Sequence, residues 1–384
     1  MTSRREFHKR LACTVGSTIA STRFAGRTTA SPSSDNGRRV VTIFLRGGND
    51  GLNTVVPVHD PLYVSSRDDL RIRPEEAITL NDRLSMNSAM RSLTRCWEAG
   101  RMRIQQGVGD PNHSHSHFLS TAVWSEGKLD ATLPSFDGWL GRALDPLQPT
   151  TRTPLACAID SPDTPELLRS RLTRTCSVPE LPRDQAQTLL KLMRSNPDLT
   201  GESEIQRHVL QACRDAATSL ENSTRSSTRI RGFPRTPFGE RMRQAANVVT
   251  TLPEIKAIHA VHDGYDTHTA QRGQHNALQR ELADGLAALD RFLAERGLSE
   301  STLVMVFSEF GRRVKENASH GTDHGSAGPV FFLGGETPPG LYGSSPDLEN
   351  LDDGDVAVTQ DFRVLQKAIA RWLVARDGQL GLPD

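Results

Sequence analysis

Five short polar clusters carry the residue types that metal and phosphoryl or sulfuryl chemistry need. Arg46-Gly47-Gly48-Asn49-Asp50-Gly51 joins a hard oxygen donor, Asp50, to glycines that let the backbone turn tightly around a ligand. The same string reads equally well as a plain Asn-Asp-Gly turn. His113-Ser114-His115-Ser116-His117 alternates three imidazoles with two hydroxyls just before an expected helix that runs to Trp124. A serine at a helix start is either its N-cap or a nucleophile whose alkoxide the helix N–H groups stabilise; Ser116 is the candidate and Ser114 the reserve. Asp266 and His268 stand two apart, so in an extended segment both face one side and can grip one metal. Glu309 offers a further carboxylate and Arg312 a guanidinium able to bind an oxyanion, and Asp323-His324 pairs an acid with a histidine between glycines. Mixed imidazole and carboxylate donors favour Zn²⁺ or Mn²⁺, whereas an oxygen-only subset would favour Ca²⁺ or Mg²⁺.

These clusters need a scaffold that gathers them. Val40 to Leu45, Arg103 to Val108, Ile255 to Val261, Thr302 to Phe307 and Val330 to Leu333 read as short strands. Most are near-continuous apolar runs, as strands covered on both faces should be. Asn276 to Leu298 carries an apolar stripe at helical spacing that ends at Gly297, and Asp361 to Ala375 reads as one more surface helix. Alternating strands and helices imply an α/β fold with a mostly parallel sheet covered on both faces. Four clusters then follow the carboxyl ends of the first four strands and the fifth precedes the last, which is where open α/β sheets bind ligands. Between Pro162 and about Ala246 no strand is evident, and a helical insertion at 162–246 is expected beside the sheet.

Composition narrows the partners. Lys+Arg and Asp+Glu both number 46, so no global basic field draws nucleic acid. No apolar run approaches the roughly 18 residues of a membrane span. Residues 1–37 open with Ser3-Arg4-Arg5-Glu6-Phe7-His8-Lys9, then a mildly apolar stretch and a Ser/Thr-rich tract. That order resembles a twin-arginine signal, which implies the twin-arginine translocase as a partner and a periplasmic or secreted location. The expected organisation is therefore a signal and tail over 1–37 and one large α/β domain over 38–384. Cys96, Cys157, Cys176 and Cys213 permit up to two disulfides in an oxidising compartment, and spacing does not choose among the pairings.

The motifs LRGGNDGLN, SHF, GYDTH, SEFGRRVKEN, GTDHG and DFR, from Leu45 to Arg363, resemble the twin-arginine-exported DUF1501 family within the alkaline phosphatase/sulfatase superfamily. The resemblance implies a three-layer α/β/α sandwich and a divalent metal site beside a serine nucleophile. It makes Asp50, Asp266, His268, Glu309 and His324 metal ligands, with Ser116 as the nucleophile. One departure stands out: Phe310 follows Glu309 where the superfamily usually has a histidine after its carboxylate. His115 or His117 could restore that imidazole, Asp323 could add a carboxylate, or the site holds one metal or none. The implied activity is hydrolysis of phosphate or sulfate esters. Two alternatives accompany it: a non-catalytic envelope binding or assembly protein on the same fold, for which Phe310 is the best support, and a serine esterase in which Asn49 stabilises an oxyanion.

Overall fold

The computed structural model of the protein describes residues 37–128, 137–147, 154–161, 163–178, 230–375 and 379–384. Its strands are β1 (Arg39–Arg46), β2 (Val55–Val56), β3 (Ala77–Thr79), β4 (Ser85–Asn87), β5 (Met102–Gly109) and β6 (Ala156–Ile159). The series continues with β7 (Thr175–Val178), β8 (Ala257–Asp263), β9 (Thr302–Ser308), β10 (Gly328–Gly334), β11 (Gly340–Tyr342) and β12 (Gln360–Asp361). The α-helices are α1 (Pro61–Ser66), α2 (Thr94–Glu98), α3 (His117–Glu126), α4 (Trp139–Leu144), α5 (Pro237–Thr251), α6 (Gln271–Ala294) and α7 (Phe362–Val374).

The large sheet runs β11-β5-β10-β9-β1-β8-β6-β7, with β12 alongside β5. β1 lies at its centre, parallel to β8 on one side and to β9 on the other. β10 alone runs against its neighbours β5 and β9. Burial explains the apolar run of β1: Val41, Ile43 and Leu45 face α5 and α6 through Phe238, Met242, Leu282 and Leu286. Val40 and Phe44 face the other way, against Trp124, Leu140, Leu365, Ile369 and Trp372 of α3, α4 and α7. Period-two alternation sends successive side chains into two cores, and helices cover both. The result is the expected three-layer α/β fold with a mostly parallel sheet. A small sheet of β2, β4 and β3 flanks it.

All five expected strands are present, as are the helices at 271–294 and 362–374. The expectation of no strand between Pro162 and Ala246 is corrected by β7, which pairs in parallel with β6 and extends the sheet. Thr-Cys-Ser-Val is too short and too polar to announce itself as a strand; its pairing with β6 decides. The same span ends inside α5, whose Phe238 and Met242 belong to the core. Most of the expected helical insertion, and the twin-arginine segment, lie outside the described residues. No helix among the described residues is long and apolar enough to cross a membrane.

Candidate metal centre

At the carboxyl edge of the sheet, the loops after β1, β5, β8 and β9 meet the segment that leads into β10. Asp266 Oδ1 is the point of convergence. It lies 3.0 Å from His268 Nε2, 3.1 Å from His324 Nε2 and 3.4 Å from His117 Nε2. His268 Nε2 and His324 Nε2 are themselves 2.9 Å apart. The donor atoms of His117, Asp266 and His324 all lie within 4.8 Å of one another, close enough for a group that could hold one ion.

The far side of each ring decides what the near side presents. His117 Nδ1 donates to Glu309 Oε1 at 2.8 Å, His268 Nδ1 to Asp323 Oδ1 at 3.3 Å and His324 Nδ1 to the His115 carbonyl at 2.7 Å. Carboxylate and carbonyl oxygens only accept, so each Nδ1 carries the proton; a neutral ring then turns an Nε2 lone pair toward Asp266, and a protonated ring donates to it. With neutral rings the Nε2 lone pairs crowd the Asp266 carboxylate, whose charge is offset by Arg312 Nη2 at 2.7 Å; a proton or a metal ion among the rings would relieve the rest. A histidine held through its other nitrogen by a carboxylate or carbonyl is the arrangement that orients metal ligands. His117 Nε2 is buried and has no hydrogen-bond partner among the described residues.

Electrostatics follow the same geometry. The hydrogen bond to Glu309 outweighs burial and raises the His117 pKa, with the Glu309 and Asp266 charges adding to it. Burial lowers that of His324 against the opposing bonds to Asp266 and His115, and the nearby Arg312 charge lowers it further. Burial works to raise Asp266, yet the bonds from Arg312 and His324 overcome it and hold the carboxyl well below the usual range.

Gly47 and Gly48 are shaped around this centre. Their N–H groups donate to Glu309 Oε1 and Oε2 at 2.9 and 3.2 Å. Both carry positive φ, +118° and +76°. A Cβ on Gly47 would stand 2.3 Å from the Asp266 nitrogen, and one on Gly48 would stand 2.4 Å from the Phe310 ring. The glycine loop thus wraps an internal carboxylate rather than an external ligand, and Asp266 packs on its back. The Phe310 ring lies 4.9 Å from that of His117, which comes from the loop after β5, and 4.7 Å from that of His324.

The expected site residues lie in different surroundings. Glu309 is fully buried and accepts from His117 Nδ1. Asp50 lies away from the cluster, in a buried ion pair with Arg67 at 2.6 Å, and also accepts from Gln271 and from Asn53 N. Its burial would raise the carboxyl, but the Arg67 charge holds it low. Arg312 is buried with its donors committed: Nε to Gly48 O, Nη1 to Thr322 O, and Nη2 to Gly47 O, Tyr265 O and Asp266 Oδ1. It positions the glycine loop and Asp266, and its remaining Nη1 N–H faces His268 Nε2 at 3.5 Å. Asn49 turns inward to Thr54, His275 and Gln279. Asp323 stands behind His268, where Asn317 also donates to it. The His115 ring meets Asp355 while its carbonyl serves His324. Ser116 is the N-cap of α3 and immediately precedes His117; its Oγ accepts from Leu119 N at a long 3.5 Å.

Sequence reading missed Arg67, Asn317, Gln271 and Asp355. Only Asp355 had a visible cue, a carboxylate in Asp352-Asp353-Gly354-Asp355, and that string reads as a turn.

Fold and site together describe an α/β protein with a histidine-carboxylate cluster at the carboxyl edge of its sheet. The family described as "Protein of unknown function (DUF1501)" matches residues 103–364, and the chain belongs to it. Among solved structures it is similar to a phosphonate monoester hydrolase from Silicibacter pomeroyi, at 10% identity and TM-score 0.40, covering 88% of this chain and 73% of that one. It is similar to the PsFucS1 sulfatase from Pseudoalteromonas sp., at 10% identity and TM-score 0.40, covering 97% and 72%. A protein in the alkaline phosphatase superfamily from Vibrio parahaemolyticus matches at 9% identity and TM-score 0.37, covering 96% and 75%. No curated protein matches the sequence.

Proposed function

We propose that the protein is a divalent-metal-dependent hydrolase of phosphate or sulfate esters, exported through the twin-arginine route. The observation that carries this reading is the convergence of His117, His268 and His324 Nε2 on Asp266 Oδ1, each ring anchored from behind. His117, Asp266 and His324, whose donor atoms lie within 4.8 Å of one another, would hold the ion, with His268 beside Asp266 and His324, and imidazole with a single carboxylate favours Zn²⁺ or Mn²⁺. A bound ion there would polarise the ester and lower the pKa of a neighbouring hydroxyl.

Ser116 is the nucleophile in this reading. Chain continuity with His117 keeps it beside the cluster, and the first turn of α3 directs N–H groups toward charge that develops near its hydroxyl. Its oxygen would bond to phosphorus or sulfur as the bond to the ester oxygen breaks, with the serine proton going to the departing alcohol; water would then attack the same atom, break its bond to Ser116 Oγ and return a proton to the serine. Glu309, Asp323 and the His115 carbonyl are positioning groups. The esterase alternative loses its support, because Asn49 is committed to a buried network.

The test is elemental analysis of the purified protein beside Asp266→Asn and Ser116→Ala, with turnover of nitrophenyl phosphate and nitrophenyl sulfate. Expected are stoichiometric metal in the wild type, its loss in Asp266→Asn, and retained metal without turnover in Ser116→Ala. Folded wild type that takes up neither Zn²⁺ nor Mn²⁺ would overturn the reading and favour the non-catalytic alternative. Wild-type turnover by Ser116→Ala would remove the covalent step.

A further inference from the structure

A second group of side chains lies next to this centre and plays no part in the reaction above. His113, His115 and Asp355 each offer one donor atom, and these atoms lie within 4.8 Å of one another. His115 Nε2 is 2.7 Å from Asp355 Oδ2 and His113 Nε2 is 3.6 Å from the same oxygen. The Asp355 side chain is wholly buried. Its Oδ1 and His113 Nδ1 are both buried without a hydrogen-bond partner among the described residues.

An anion sealed from water needs compensating positive charge. Among the described residues, Arg313 is the guanidinium paired with it, and its Nε stands 3.7 Å from Oδ1, beyond hydrogen-bond range. Two imidazoles and a buried carboxylate aimed at one another supply three donors with the softness and charge that Zn²⁺ takes. Backbone geometry is consistent with a fixed cluster: His115 sits at φ +55°, in the left-handed region that non-glycine residues adopt only when their surroundings hold them there. That conformation sends the ring to Asp355 and the carbonyl to His324 Nδ1, 2.7 Å away.

We propose that His113, His115 and Asp355 form a second transition-metal site of the Zn²⁺ class. Its occupant fixes His115, and through the His115 carbonyl it fixes the orientation of His324 in the first centre. The two sites share one residue but no donor atom.

The probe is Zn²⁺, titrated into the demetallated full-length chain and counted by elemental analysis, with thermal unfolding as a control for folding. The variants are His113→Ala, Asp355→Asn and, at the first centre, Asp266→Asn. Expected are two equivalents in the wild type and one in each single variant. Co²⁺ substitution should give two sets of d–d absorption bands, one of which disappears in His113→Ala. If His113→Ala folds and keeps the wild-type stoichiometry, the second site does not exist. Should His113→Ala lose one equivalent while Asp266→Asn loses none, this site stands and the proposed hydrolytic centre fails instead.

Discussion

Glu309→Gln tests the proposed metal centre by separating a residue that would hold a metal ligand from one that would touch the metal. The wild-type carboxylate accepts from Gly47 N and His117 Nδ1 on Oε1, and from Gly48 N and Ser308 Oγ on Oε2. Glutamine keeps one accepting oxygen and replaces the other with an NH₂ group. If its oxygen stays with Gly47 and His117, the NH₂ faces the Gly48 N–H, donor against donor, and only the Ser308 hydroxyl can reverse its role. One buried N–H is then unpaired, at a cost of about 1–3 kcal/mol in stability. At the metal centre, His117 loses a charge-assisted bond and its Nε2 becomes less basic. Removing such a supporting partner lowers metal affinity roughly 10- to 100-fold. Converted to free energy, that is about 1.4–2.7 kcal/mol. Competition for Zn²⁺ against a chelator at fixed pH reads the affinity, and urea unfolding of the zinc-free protein reads the stability. Asp266→Asn, which removes a direct donor, should fall much further in the same assay. Two results would refute the reasoning: affinity equal to wild type, which would mean His117 is not being held for an ion, or a loss as complete as that of Asp266→Asn, which would put Glu309 in contact with it.

The buried Asp50–Arg67 pair makes a second prediction: Arg67→Met strands a carboxylate with no exposure to water and should cost about 3–5 kcal/mol in urea unfolding. A loss under about 1 kcal/mol, the range of an exposed pair, would show that the pair is not sealed. A third concerns Cys157 and Cys176, which face each other in register on β6 and β7. Both are thiols here, and the Cys176 thiol bonded to Cys157, together with burial, pushes the Cys157 pKa up. After export to a compartment whose disulfide donors accept their electrons, the pair should close, and the intact mass should be lower by two hydrogens. Labelling of both thiols in denaturant without reductant would contradict this.

Much of the scaffold is readable from the chain because its central strands are sealed on both faces. Val40–Leu45 and Thr302–Phe307 can hardly be anything but buried strands. Ala156–Ile159 and Thr175–Val178 escape notice, since four residues of modest hydrophobicity gain strand character only from each other. At the site, the pairing of Asp266 with His268 and the presence of His324 are visible as residue types in polar loops. Their roles are less visible. Nothing local distinguishes Glu309, which orients a ligand, from Asp266, at which ligands converge. Asp50 looks like the best metal carboxylate of all until Arg67, seventeen positions on, is found against it. Asp355 acquires meaning only from His115, 240 residues earlier.

That separation has a kinetic side. His117 meets Glu309 across 192 positions and His324 across the His115 carbonyl spans 209. No hairpin or single strand-helix unit contains a complete set of donors. The centre exists only after β1, β5, β8, β9 and β10 have found their places, and such long-range pairings are the slow part of folding. The cluster therefore requires the closure of the whole sheet. A chain released unfolded across a membrane would have nowhere to hold an ion until that closure was finished, whereas one that folds first would carry its ion with it.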